Sequence, residues 1–133
     1  MRTEPEPGVT MAQKTLGPSP GAARAPEHRI RIAEAPGRWK VAVDGVRVAD
    51  STGVLALDED GYDRVLYFPP EDVATEKLAA SGTQTACPFK GEARYYSKDG
   101  EDVAWTYPAV YDEMAPIAGY VAFYPRRAEI EEM

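Results

Sequence analysis

The chain is short of the residues from which most reactive and metal-bearing sites are built. It has one cysteine, Cys87, and one histidine, His28, in 133 residues. A single cysteine cannot close an internal disulfide, so the redox compartment is left open, with a reducing cytoplasm the natural expectation. A structural zinc site draws four ligands from Cys and His, and these two residues cannot supply it. A magnesium or calcium site made of carboxylates alone stays open. A histidine-based catalytic pair is nearly excluded, because His28 stands beside the proline-rich start of the chain. There is no apolar run of membrane-spanning length. The opening "MRTEPEPGVT" has acids and prolines where a secretion signal has an apolar core. Positive charge is also in deficit: 15 Lys and Arg against 22 Asp and Glu give a net charge of −7. Such a surface repels phosphate backbones, so nucleic acid is not an expected partner, and without a spanning apolar run neither is a membrane.

What is present is a body of ordinary globular composition with many aromatics. Hydrophobic residues make up 44%, and eight Tyr, three Phe and two Trp supply apolar bulk with polar handles. Residues 1–28 contain Pro5, Pro7, Pro18, Pro20 and Pro26 and show no periodicity, which predicts a flexible tail. Its charges cancel, so the whole net charge falls on residues 29–133, the expected single domain.

From residue 29 the pattern is mainly β. "RIRIAE" alternates. In "WKVAVDGVRVADS", Trp39, Val41 and Val43 alternate up to the turn pair Asp44-Gly45, beyond which Val46 and Val48 continue. "VLALDEDGYDRVLYFP" predicts a second hairpin with Asp58 to Gly61 as its loop. "PPEDVATEKLAAS" predicts the one short helix, with Pro70 in the first turn, Glu71 and Asp72 at its positive end, and Val73, Lys77 and Leu78 at helical spacing. Further strands are expected near 83–87, 91–97, 102–107, 119–124 and 127–131. Residues 109–118 predict a helical turn or an ordered loop, since Pro116 opposes a long helix. The fold class is therefore a mainly β, single compact domain of antiparallel hairpins.

Asp99-Gly100 marks the central hairpin. A two-residue loop there sets Tyr96 opposite Val103 and Arg94 opposite Trp105. Glu92, Arg94, Tyr96, Val103, Trp105 and Tyr107 then share one face, and a longer loop would undo that assignment. Two readings of this face stand side by side. It is either a core strand pair with Arg94 stacked on Trp105, or an aromatic-walled ligand pocket with Arg94 and Glu92 as its polar groups. Tyr124, at the end of "GYVAFYP", is placed to line the same pocket.

"CPFKGEARYY", residues 87–96, carries the chemistry. Cys-Pro imposes an extended backbone on Cys87, Gly91 permits a sharp bend, and Lys90 stands where an ammonium would favour a thiolate. Cys87 is a candidate nucleophile or redox thiol and Lys90 its cationic partner or an anion anchor. The plain alternative is a packed, inert cysteine beside a solvated lysine. Histidine being so placed, Lys90, Glu92 or a tyrosine would have to act as base. Asp58-Glu59-Asp60 reads as a solvated turn.

"VAVDGVRVADS", "FPPEDV", "CPFKGEARYY", "AWTYP" and "IAGYVAFYP" fall in the order seen in the domain of unknown function 427 family, which the chain resembles over nearly all of residues 38–131. The resemblance implies a small β-tent-like fold, and the family carries a nucleotidyltransferase label. Many β-tent proteins bind zinc through two cysteine pairs. This chain lacks them, so neither zinc nor any other cofactor is implied. The functional expectation is an uncharacterised small-molecule-binding domain, with Cys87 and Lys90 as catalytic candidates and Arg94, Tyr96, Trp105, Tyr107 and Tyr124 around the ligand. An accessory interaction module without catalysis is the second reading and nucleotidyl transfer the third. Open strand edges make a homodimer a further expectation.

Overall fold

A computed structural model describes residues 14–133. The flexible tail expected over 1–28 falls outside these residues as far as position 13. From Lys14 onward the segment has structure and lies against the β body. It forms β1 (Lys14–Thr15) and α1 (Pro20–Arg24) before β2 (Ile30–Glu34) begins.

The hairpins form where turn chemistry demands them. β3 (Trp39–Val43) returns as β4 (Val46–Ser51) through Asp44 and Gly45, at φ 51° and 79°. The central hairpin turns through Asp99 and Gly100 at φ 52° and 82°. Positive φ at both turn positions matches the right-handed strand twist, which is why Asp-Gly pairs sit there. β5 (Leu55–Glu59) pairs with β6 (Val65–Tyr67), and β2 adds on its other side. β7 (Ala79–Cys87), β8 (Gly91–Lys98) and β9 (Glu101–Val110) make the largest sheet, with β10 (Val121–Phe123) antiparallel and β1 parallel on β9. β11 (Ala128–Glu132) pairs with β3. The protein is mainly β, with one five-stranded and two three-stranded sheets among the described residues. No helix among the described residues is long and apolar enough to cross a membrane.

The helix predicted after Phe68 does not form. Two 3₁₀ turns, Pro70–Asp72 and Thr75–Lys77, take its place. The neighbouring sheet competes for this backbone: Val73 bridges Ala49, and the Ala74 amide donates to the Val48 carbonyl at 2.8 Å. β-branched Val73 and Thr75 are weak helix formers, so the strand contact prevails. Residues 109–118 continue β9 and then make a 3₁₀ turn over Asp112–Ile117 that contains Pro116.

Buried residues form two clusters on either side of the β8–β9 pair. One gathers Val41, Val43, Phe68, Tyr96, Val103 and Phe123. The other gathers Leu57, Tyr67, Ala93, Tyr107, Val110 and Ile117, with Cys87, Tyr95 and Trp105 packed against it. The second cluster floors the site.

Candidate functional site

The central hairpin has the expected two-residue turn, with Lys98 opposite Glu101, but its pairing slips immediately. Ser97 faces Asp102 and Tyr96 faces Ala104, so Val103 is an extra residue on β9. One extra residue flips every side chain beyond it to the other face. Tyr95, not Arg94, therefore stands opposite Trp105, and Arg94 faces Thr106. Tyr96 is buried at 8% exposure in the first cluster. Arg94 is exposed and takes no part in the cavity. Of the seven candidates, Cys87, Lys90, Trp105, Tyr107 and Tyr124 line one cavity, and Arg94 and Tyr96 do not.

That cavity holds about 800 Å³. β5 and β6 contribute Leu57, Glu59 and Tyr67, and β8 and β9 contribute Tyr95, Trp105 and Tyr107. Pro88 to Lys90, the turn between β7 and β8, closes one end. The turn is tight: the Lys90 amide donates to the Cys87 carbonyl at 3.2 Å, and the strands re-pair at once with Cys87 opposite Gly91. Gly91 is required there. Its φ is 144°, and a Cβ would lie 2.1 Å from the Ala109 carbonyl oxygen. The bend inferred from Cys-Pro and Gly91 is thus present, and Cys87 and Lys90 line the same cavity as Trp105.

The aromatic wall is ordered by its own contacts. Trp105 packs against Tyr124 with ring centroids 4.6 Å apart and meets Tyr67 edge-on at 6.4 Å. Its indole N–H donates to the Tyr67 hydroxyl at 3.4 Å. Arg126 covers Tyr124 at 4.7 Å from the ring centroid. Tyr95 shares a 2.8 Å hydrogen bond with Thr85. Among the described residues the Tyr107 hydroxyl has no side-chain partner, although Tyr107 is only 8% exposed.

At the turn end sits an unforeseen charge cluster. Glu59 accepts from Lys90 Nζ at 2.5 Å through one carboxylate oxygen and from His28 Nε2 at 2.8 Å through the other. The Glu59 and Lys90 side chains are 10% and 13% exposed. Burial is the strongest influence on Glu59 and opposes its charge. The hydrogen bonds from Lys90 and His28 and the charge of Lys90 together outweigh it, holding the carboxyl below its usual range. Burial pushes the Tyr67 and Tyr107 hydroxyls far above the usual phenol range, and negative charge at Cys87, Tyr95 or Glu59 would push them further. Both are neutral hydroxyls under physiological conditions and cannot serve as bases.

Period-two alternation could have revealed Glu59, since Leu55, Leu57 and Glu59 share a strand face. Asp60 does behave as a solvated turn residue, whereas Asp58 lies within β5, opposite Arg31. Asp58 pairs with Arg64, and Asp60 accepts from the Arg29 amide. Tyr95 was hidden by the bulge. Nothing local marks His28, which is carried in by the N-terminal segment. The Ser19 hydroxyl and the Gly21 amide both donate to the Pro88 carbonyl, at 2.8 and 2.9 Å. The His28 ring packs on Phe89 at a centroid distance of 4.6 Å. Residues 19–28 therefore form a strap holding the Cys87–Lys90 turn.

The profile of a family described as domain of unknown function (DUF427), short name NTP_transf_9, matches residues 31–133. The chain belongs to this family. No curated protein matches it. In this DUF427 domain the matched stretch holds every cavity residue named above except His28. The strap precedes it. Among the described residues no group of three or more His, Cys, Asp or Glu is arranged to hold a metal ion.

Proposed function

We propose that this DUF427 domain binds a small molecule in the cavity between β5–β6 and β8–β9. One observation carries the reading: a cavity of about 800 Å³ is walled by Tyr67, Tyr95, Trp105, Tyr107 and Tyr124, with polar groups gathered at one end. That volume and lining fit a drug-sized or metabolite-sized ring compound. The geometry favours binding over catalysis. Cys87 is the sole thiol on the wall, but the buried tyrosines stay protonated and Lys90 is committed to Glu59. The other titratable groups on the wall are His28, whose Nε2 is taken by Glu59, and Asp63, exposed at the rim, so among the described residues no base is paired to the thiol. The test uses iodoacetamide on the native full-length chain, with and without saturating indole as a ring-shaped probe. Cys87 is part-exposed and is expected to react without denaturant, with indole slowing the reaction several-fold. Reaction only after unfolding, or no protection, counts against the reading.

A second reading, an accessory module that self-associates, draws on β7. Among the described residues its outer edge is unpaired, and residues 79–87 carry no charged side chain to guard it. Sedimentation velocity showing a monomer at every concentration counts against it. Nucleotidyl transfer, which the family's short name suggests, needs carboxylates free to hold a divalent metal. Glu59 is consumed by Lys90 and His28, and Asp58 by Arg64. Calorimetric binding of magnesium with ATP would restore that third reading.

A further inference from the structure

The polar end of the cavity contains two full charges, yet it offers a ligand no unpaired one. Both oxygens of Glu59 are taken, one by Lys90 and one by His28. With a neutral imidazole the three side chains sum to zero. Among the polar side chains that line the cavity are Lys90, whose ammonium keeps N–H bonds beyond the one given to Glu59, and Tyr107, whose hydroxyl has no side-chain partner among the described residues. Asp63 also lines the cavity, but it is exposed at the rim, where solvent screens it. An ionic ligand would lose its hydration on entering this space and gain no opposite charge in return. A neutral ring loses little and stacks on Trp105 and the tyrosines.

We propose that the cavity selects an uncharged planar ring compound with a carbonyl acceptor on one edge, and rejects the acid and the amine of the same shape. Lys90 and Tyr107 donate to the carbonyl, Trp105 and Tyr67 hold the ring, and Glu59 keeps Lys90 neutralised. This rests on the cavity reading above.

The experiment titrates three probes of one ring size into the full chain by saturation-transfer NMR. The probes are benzamide, benzoate and benzylammonium, and the pH is 8, where free histidine is neutral. Benzamide is expected to bind wild type at least about tenfold tighter than either ion, about 1.4 kcal/mol. In Glu59→Gln the Lys90 charge is freed, and preference passes to benzoate. In Lys90→Met the Glu59 charge is freed, and preference passes to benzylammonium. Thermal melting establishes which variants are folded, and if one is not, the other and wild type still decide. Benzoate or benzylammonium binding wild type as tightly as benzamide overturns the selectivity while leaving the cavity reading intact. So does a folded variant that still prefers benzamide. Failure of all three probes to bind wild type overturns the cavity reading and the selectivity with it.

Discussion

Gly21 tests whether the strap is part of the site. It lies inside α1 with its Cα against Phe89, and a Cβ there would stand 2.8 to 2.9 Å from three carbons of that ring. Favourable carbon–carbon contact begins near ~3.5 Å, so the overlap is roughly 0.6 Å or more. Phe89 cannot swing aside freely. His28 packs on it at 4.6 Å, and the adjoining Pro88 carbonyl is pinned by Ser19 and Gly21. Gly21→Val adds two methyls to this overlap. Overpacking of this kind costs about 1–3 kcal/mol. Valine's better helix propensity returns only about 0.3 kcal/mol. The net loss lowers Tm by about 3–10 °C in a chain of this size. Because the displaced ring adjoins the Cys87–Lys90 turn, iodoacetamide modification of Cys87 in the native protein is expected to speed up as well. Gly82→Ala is the control. Nothing lies within 4 Å of its Cβ position, and the change is expected to stay within about 0.5 kcal/mol with no change in alkylation. Gly21→Val melting with wild type and alkylating at the wild-type rate would refute a seated strap.

Three other substitutions probe the fold and the charge cluster. Gly91→Ala forces a methyl into the Ala109 carbonyl at positive φ and costs more than about 3 kcal/mol in urea unfolding, or prevents folding outright. Phe68→Ala removes a side chain with 0% exposure that packs edge-on against Phe123, and costs about 3–5 kcal/mol by the same measurement. Glu59 has a lowered folded-state pKa, so its contribution is fully present above the unfolded carboxyl range near ~4.3 and fades as pH falls through the folded value. Glu59→Gln therefore narrows its deficit against wild type below pH ~4 in acid-unfolding curves. A deficit that widens there would contradict the sign.

The two Asp-Gly hairpins and their turns were legible because Asp-Gly pairs and strict alternation act locally, whereas the β5–β6 loop, expected at 58–61, falls at 60–64 because β5 stays paired with β2 through Glu59. Asp44-Gly45 and Asp99-Gly100 take the positive φ values their residue types permit. Lys90 and Cys87 were legible for the same reason, since Cys-Pro and Gly91 shape the turn within five residues. Three features were set by distant parts of the chain. The Val103 bulge exchanges Tyr95 for Arg94 and Tyr96 at the cavity, and no residue in "EDVAWTYP" announces it. The helix after Phe68 gives way because Ala49 and Val48 bind its backbone. His28 reaches Glu59 because β2 pairs with β5, with Ile30 opposite Glu59 and the Arg29 and Asp60 backbones hydrogen-bonded beside it, while Ser19 and Gly21 fasten the preceding residues to Pro88.

The chain has two tryptophans, and only Trp105 lies in the cavity; Trp39 is on β3, its indole donating to the Pro36 carbonyl. Fluorine NMR of the 5-fluorotryptophan protein thus reads the cavity against an internal reference. Titrated benzamide is expected to move the Trp105 resonance to saturation while the Trp39 resonance stays fixed. A Trp105 resonance that does not move, or one that moves only together with Trp39, would contradict a ligand cavity at this site.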